Sequence, residues 1–345
     1  MDLFFGQPKN NASTGGSPPF ESLNFNIARY NIGGGADLSV DTHLRKLPGS
    51  FLAIPGYKSS ITGAYDWSAD SAQRSILLAA RDRGADRFEA FSNSAPPWCT
   101  ITGSVTGATE FGMDNLREDR REDFADYLTE TVRAFRDLPE FGNINFESLD
   151  PFNEPSEGWW VKGGRQEGCN FSPHGIAKLV PLVAKSLADK GLSTVVAGID
   201  SWGDSTPKVF SKLSQTSLNA IHRINVHGYF KFEPDSGRAS ERKANSWHRA
   251  EVKKMAGKLG KKVWQSEAGP MDFKGKTELN NALKMGLSLI MDINQMQCTA
   301  WVYWQALETK SDNCWGLIQA PFTLENDNWT FTVKKQFHIL LHFTK

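Results

Sequence analysis

The chain has 345 residues, 39% of them hydrophobic and 23% charged, which is ordinary for a globular protein able to bury a substantial core. Lysine plus arginine equals aspartate plus glutamate at 39 each, so no charge excess draws the protein to nucleic acid or an anionic membrane, and no apolar run of about 18 residues offers a span. A neutral partner and a monomer are expected; the 11 tryptophans and 22 phenylalanines suit the apolar faces of sugar rings, although most such side chains belong to a core.

The opening stretch MDLFFGQPKNNASTGGSPP lacks a basic region followed by a long apolar one, so no export signal is visible and the compartment stays open. Rich in Asn, Gly, Ser and Pro, residues 1–22 read as a flexible entry segment, with one barrel domain over 23–345. From Leu23 onward, short apolar runs alternate with segments of helical period, the pattern of a parallel sheet built from βα units. The strand candidates begin at Phe25, Arg87, Asn145, Ser193, Arg223, Lys261 and Thr299. Of the helices, the clearest has Ser172 as N-cap, Pro173 at its first position, an apolar face of Ile176, Leu179, Val180, Val183 and Leu187, and an end before Gly191. Two more place Phe124, Leu128, Val132 and Phe135, or Leu279, Leu283, Leu287 and Ile290, on a common face. The fold class is therefore α/β, a (β/α)8 barrel, with seven strands found where closure takes eight.

Polar and aromatic groups gather at the C-terminal ends of these strands: Asn93 with Trp98, Asn153 with Glu154, His227 with Tyr229, Glu267, and Trp304 with Gln305. In a parallel barrel those ends converge on one face, where active sites lie. Two are glutamates, and glycosidic cleavage needs two carboxyl groups across one bond, one to protonate the leaving oxygen and one to attack or to activate water. A lone strand-end glutamate serves an ion pair as readily; two in aromatic company favour catalysis. Asn153 can reach the 2-hydroxyl of a sugar held by its neighbour Glu154. Arg29 requires a carboxylate if buried, either Glu267 or an ordinary structural partner. His227 and Tyr229, two apart, share one side of a strand, with a satisfied core histidine as the rival reading. Trp98 and Trp304 are better sugar platforms than Trp159 and Trp160, which can equally brace a loop.

Other chemistries find little support. Gly33 to Gly35 lack a nucleotide-loop spacing and read as a sharp turn, and the histidines form no ligand cluster, so neither metal nor cofactor is expected. Cys99, Cys169, Cys298 and Cys314 are too scattered for a disulfide scaffold; Cys99 and Cys169 either pair or are buried thiols.

The ordered set RYNIGGG, NSAPPWCTITGSVTG, DPFNEP, HGY, VWQSEAG and WVYWQA resembles glycoside hydrolase family 30, and within it the fungal endo-β-1,6-galactanase type. The resemblance implies a retaining mechanism with Glu154 as acid/base and Glu267 as nucleophile, a substrate pocket that includes Arg29, Asn93, Trp98, Asn153, His227, Tyr229 and Trp304, and a polysaccharide substrate. It leaves β-1,6-glucan, glucuronoxylan or a glucosylceramide as alternative substrates. It also implies a glycine-rich first strand and helix ahead of Leu23 and a C-terminal β-sandwich, for which this sequence has no corresponding segments. A non-catalytic or unstable carbohydrate-binding fragment is accordingly the rival from another class.

Overall fold

The computed structural model describes residues 1–6, 21–45, 53–230, 239–270, 278–309, 315–320 and 330–345. Seven parallel strands pair in chain order: β1 (Ile27–Asn31), β2 (Arg87–Phe91), β3 (Ser148–Asp150), β4 (Val195–Trp202), β5 (Ile221–Phe230), β6 (Lys262–Pro270) and β7 (Ala300–Tyr303). They match the seven apolar runs of the sequence, because strands covered on both faces are written in near-continuous hydrophobic residues. The helices are α1 (Asp2–Phe5), α2 (Ser71–Asp82), α3 (Arg121–Asp137), α4 (Pro173–Asp189), α5 (Thr206–Phe210), α6 (Gln215–Ala220), α7 (Ala239–Leu259), α8 (Glu278–Met291) and α9 (Lys335–Thr344). A small second sheet joins β8 (Leu307–Glu308), β9 (Ile318–Gln319) and β10 (Thr332–Val333).

Helix α4 forms as its sequence dictates. The Ser172 hydroxyl accepts the Gly175 N–H at 3.1 Å, Pro173 stands where no amide partner is needed, and Ile176, Leu179, Val180, Val183 and Leu187 are buried. The main core continues through Phe124, Leu128, Val132 and Phe135 of α3. The glycine run after β1 lies against the chain at 54–56, where a side chain on Gly33 would come within 2.5 Å of Ile54 and 2.6 Å of the Pro55 carbonyl.

Two sequence expectations need correction. Although residues 1–22 read as a flexible entry, Asp2–Phe5 form α1, with the Leu3 and Phe4 carbonyls accepting the amides of Leu23 and Phe25; residues 7–20 lie outside the described residues. The apolar face of α8 named above is not its buried one. Leu279, Leu283, Leu287 and Ile290 are 41–53% exposed, while Ala282, Met285 and Leu289 are buried. Small Gly286 faces Ile339 of α9, so close helix packing rather than bulk selects the inward face.

Among the described residues no eighth strand joins β7 to β1. A second hydrophobic cluster, built from Phe4, Leu23, Met285, Leu289, Leu317, Ile318, Phe337 and Leu340, occupies this flank. It touches β7 through Trp301 and Tyr303 and the lead-in to β1 through Phe25. Glu21 and Lys345 pair across the same region. Covering the two sheet ends with apolar side chains shields backbone groups that would otherwise invite pairing with another chain. Cys99 and Cys169 are free buried thiols, and burial pushes Cys169 up to about 12; Cys314 lies outside the described residues.

Candidate active site

Glu154 lies in the turn after β3 and Glu267 within β6, and the strands carry both to one end of the sheet. Oxygens of the two carboxylates and Nδ1 of His227 all fall within 4.8 Å of one another. Both glutamates are buried, and Glu154 is held in an unusual backbone conformation, with φ at +49°. Three contacts over-determine that geometry: its N–H donates to the Asp200 carbonyl at 2.8 Å, its carbonyl accepts the Trp160 indole N–H at 2.7 Å, and the Glu157 N–H donates to the same carbonyl at 3.0 Å.

The two carboxylates have different surroundings. Oε1 of Glu154 accepts the Trp202 indole N–H at 2.8 Å and faces His227 Nδ1 at 2.9 Å. Glu267 accepts the Tyr229 hydroxyl on Oε1, and its Oε2 lies 3.5 Å from Arg29. Burial pushes the Glu267 carboxyl up, while the charges of His227 and Arg29 and the Tyr229 hydrogen bond oppose the rise. Burial alone would discharge His227. Glu267 and Asp200 more than reverse this and hold the imidazole well above its ordinary range, with Nε2 3.4 Å from Asp200 Oδ1. The protonated ring then donates from Nδ1 to Glu154, and Glu154, His227 and Glu267, whose spacing would also suit a cation, form one hydrogen-bonded group.

Arg29 on β1 organises the floor. Its guanidinium bonds Glu89 at 2.9 Å, the Ser266 carbonyl at 3.2 Å and the Asp200 carboxylate, and it lies 4.0 Å above the Phe91 ring. Asp200, itself at φ +41°, sits well below the usual carboxylate range: burial would raise it, but Arg29 and His227 prevail. Below lies a second polar layer, in which Glu89 also accepts from Ser148, Arg223 and Asn225. Asn225 further bonds Asp150, whose carboxyl burial and the Asp200 charge push up.

Among the other residues predicted for the site, Asn93 and Asn153 each bury an amide oxygen that has no partner among the described residues, a state that favours capture of a ligand hydroxyl. Trp98 is placed differently. Its indole N–H donates to the Lys58 carbonyl at 3.0 Å and its ring meets Tyr127 edge-on, so it braces the loop after β2 and is not among the groups that touch the two glutamates. Trp304 follows β7, its N–H on the carbonyl of Ala268, next to Glu267.

A match to O-glycosyl hydrolase family 30 spans residues 2–314. The chain belongs to this family. It is 31% identical to an endo-β-1,6-galactanase of Hypocrea rufa over 99% of its own length and 67% of that protein. It is 25% identical to an exo-β-1,6-galactobiohydrolase of Bifidobacterium longum subsp. longum, over 90% of this chain and 24% of that one. A conserved exported protein from Bacteroides fragilis superimposes with a TM-score of 0.77 at 20% identity, over 94% of this chain and 69% of the other, which establishes the barrel as the shared fold. This family 30 chain is thus a glycoside hydrolase with a polysaccharide substrate.

The sequence reading missed Asp200, Trp202, Ser266 and Trp315. Asp200 and Trp202 stand two apart at the end of β4, so the rule that selects His227 and Tyr229 also selects them. Trp315 carries no such signal. Its ring meets Tyr229 edge-on at 5.2 Å from a connection far along the chain.

Proposed function

We propose that the protein hydrolyses β-1,6-galactosyl bonds of galactan by double displacement, with Glu267 as nucleophile and Glu154 as acid/base. The observation that carries this reading is that one oxygen of Glu154 and one of Glu267 come within 4.8 Å of each other, an approach that suits the roughly 5 Å carboxyl separation of retaining sites better than the roughly 6.5–9.5 Å that an inverting site needs for an intervening water. The β-1,6-galactosyl specificity named for both relatives supports the linkage.

In the first step a Glu267 oxygen bonds to the anomeric carbon as the glycosidic C–O bond breaks, and Glu154 gives its proton to the departing oxygen. Glu154 Oε1 is engaged by Trp202 and His227, so its other oxygen presents the proton. Arg29, His227 and Tyr229 favour the anionic form of Glu267, opposing the rise that burial imposes on its carboxyl. In the second step Glu154 takes a proton from water as that water attacks the anomeric carbon, and Glu267 leaves as carboxylate, so the product keeps the β configuration.

The test is reducing-sugar release from β-1,6-galactan, with early product followed by NMR. β-anomer should appear first. Glu154→Ala should lose about 10²–10⁴-fold on galactan and, with β-galactobiosyl fluoride, whose fluoride departs without a proton donor, should be accelerated by azide with a β-glycosyl azide as product, whereas Glu267→Ala should not recover in this way. An initial α-product, or equal turnover of β-1,6-glucan, overturns the mechanism or the sugar assignment respectively.

A further inference from the structure

Beside the acid/base, past Trp202, the molecule presents two aromatic rings, Trp159 and Phe111, that the chemistry above does not use. Trp202 donates to Glu154; Trp159 meets Trp202 edge-on with ring centres 6.0 Å apart and planes at 64°. Beyond it, Phe111 lies against Gly158, with ring atoms 3.1 Å from where a side chain on that glycine would begin. Trp159 is 46% and Phe111 65% exposed. Trp160, by contrast, is buried and spends its indole N–H on the Glu154 carbonyl, so of the two neighbouring tryptophans one braces the turn and the other is displayed.

The display is held firmly. The loop after β2 and the loop after β3 are stitched together by Ala108 N–H on the Trp160 carbonyl, Lys162 N–H on the Ala108 carbonyl and Asn115 N–H on the Asn170 carbonyl. Gly107 lies so close to the Trp160 backbone that a side chain there would fall 2.1 Å from its carbonyl carbon. Large apolar rings kept in water by such a frame forgo burial, which marks the patch as a binding surface.

We infer that Trp202, Trp159 and Phe111 form the subsites for the leaving-group side of a β-1,6-linked galactan chain; this rests on the galactanase reading above. The acid/base protonates the leaving oxygen, so the sugars beyond that oxygen must emerge past the residues flanking Glu154 and away from Glu267. Those residues are Trp202 and then Trp159. The mutual tilt of the rings suits a 1,6-linked chain, whose additional exocyclic bond lets successive sugars turn their apolar faces to different angles. A platform on this side binds residues that an enzyme acting only on short glycosides has no need to hold, and favours cleavage inside a chain.

The test compares Trp159→Ala and Phe111→Ala on two substrates that share a donor: β-1,6-galactan, and β-galactobiosyl fluoride, which has no leaving-group sugar. Each variant should lose about tenfold in kcat/KM on galactan, the worth of one ring contact, and keep parental turnover of the fluoride. Transfer to added β-1,6-galactobiose as acceptor should fall in parallel. Galactan hydrolysis unchanged in both variants overturns the subsite assignment, as does an equal loss on galactan and fluoride, which marks a merely structural role. If the parent turns over neither substrate, the galactanase reading falls and takes the inference with it.

Discussion

Replacing Arg29 by methionine tests the electrostatic floor of the site most severely. The substitution keeps apolar bulk near Phe91 and removes the cation that bonds Glu89 and Asp200 and faces Glu267. Glu89 retains Arg223 and Asp200 retains His227, so the loss is that of one partner from a buried network, about 3–5 kcal/mol. For 345 residues the unfolding entropy is roughly 0.7 kcal/mol/K, so the melting temperature should fall by about 4–7 °C. Much of that penalty is the Asp200 charge left without its counter-ion. Asp200→Asn added to Arg29→Met should therefore cost less than the sum of the two single changes, by about 1–3 kcal/mol. The same variant reports on chemistry. Glu267 is already raised by burial and loses an opposing charge, so the acid limb of kcat/KM should move to higher pH in Arg29→Met. Thermal unfolding of the four proteins of the cycle, with pH–rate profiles, supplies both readings. Additivity within about 0.5 kcal/mol, together with an unmoved acid limb, refutes the assignment of Arg29 as the common counter-ion.

Trp202→Phe keeps a ring beside Trp159 and Tyr229 but removes the N–H from Glu154; kcat on galactan should fall about tenfold with little change in KM, and a pure KM effect in steady-state kinetics contradicts the hydrogen-bond role. His227 is held above its ordinary range in the fold, so its contribution to stability is fully present below about pH 6.5 and is lost as pH rises through its folded value. Melting temperatures from pH 6 to 10 should accordingly decline more steeply in the parent than in His227→Gln, and parallel curves count against a charged imidazole between Asp200, Glu154 and Glu267.

What the sequence disclosed follows from where each signal is written. Strand identity is local: Val195, Val196, Ala197 and Ile199 announce a doubly covered strand in the residues themselves, and the Ser172–Pro173 start of α4 is spelled out in two letters. The two glutamates were legible for the same reason, since each ends an apolar run. Partnership is not local. That Arg29 on β1 meets Asp200 on β4, 171 residues later, depends on how strands face each other across the barrel interior. The inward side of α8 was misread because hydrophobic bulk and inward facing part company where Gly286 admits α9. Trp98 sits at a strand end yet turns back to Lys58, which shows that the strand-end rule locates backbone and leaves side-chain direction to the packing of each loop.

The open flank between β7 and β1 bears on the same residues. In a sheet closed by hydrogen bonds all the way round, β1 is fixed by two neighbours; here, among the described residues, it pairs only with β2. The apolar cluster of α1, α8 and α9 covers the flank from outside. From inside, Arg29 reaches from β1 to Glu89 on β2, Asp200 on β4 and Ser266 on β6, spanning the barrel where no ladder does. Tyr229 and His227 on β5 continue the span to Glu267, and Trp202 on β4 extends it to Glu154. The contacts that surround the two glutamates are therefore also the contacts that hold β1 in register with the far side of the sheet. Stability and catalysis should fail together when Arg29 is removed. They should separate at Trp159, which touches the site but carries none of this bracing.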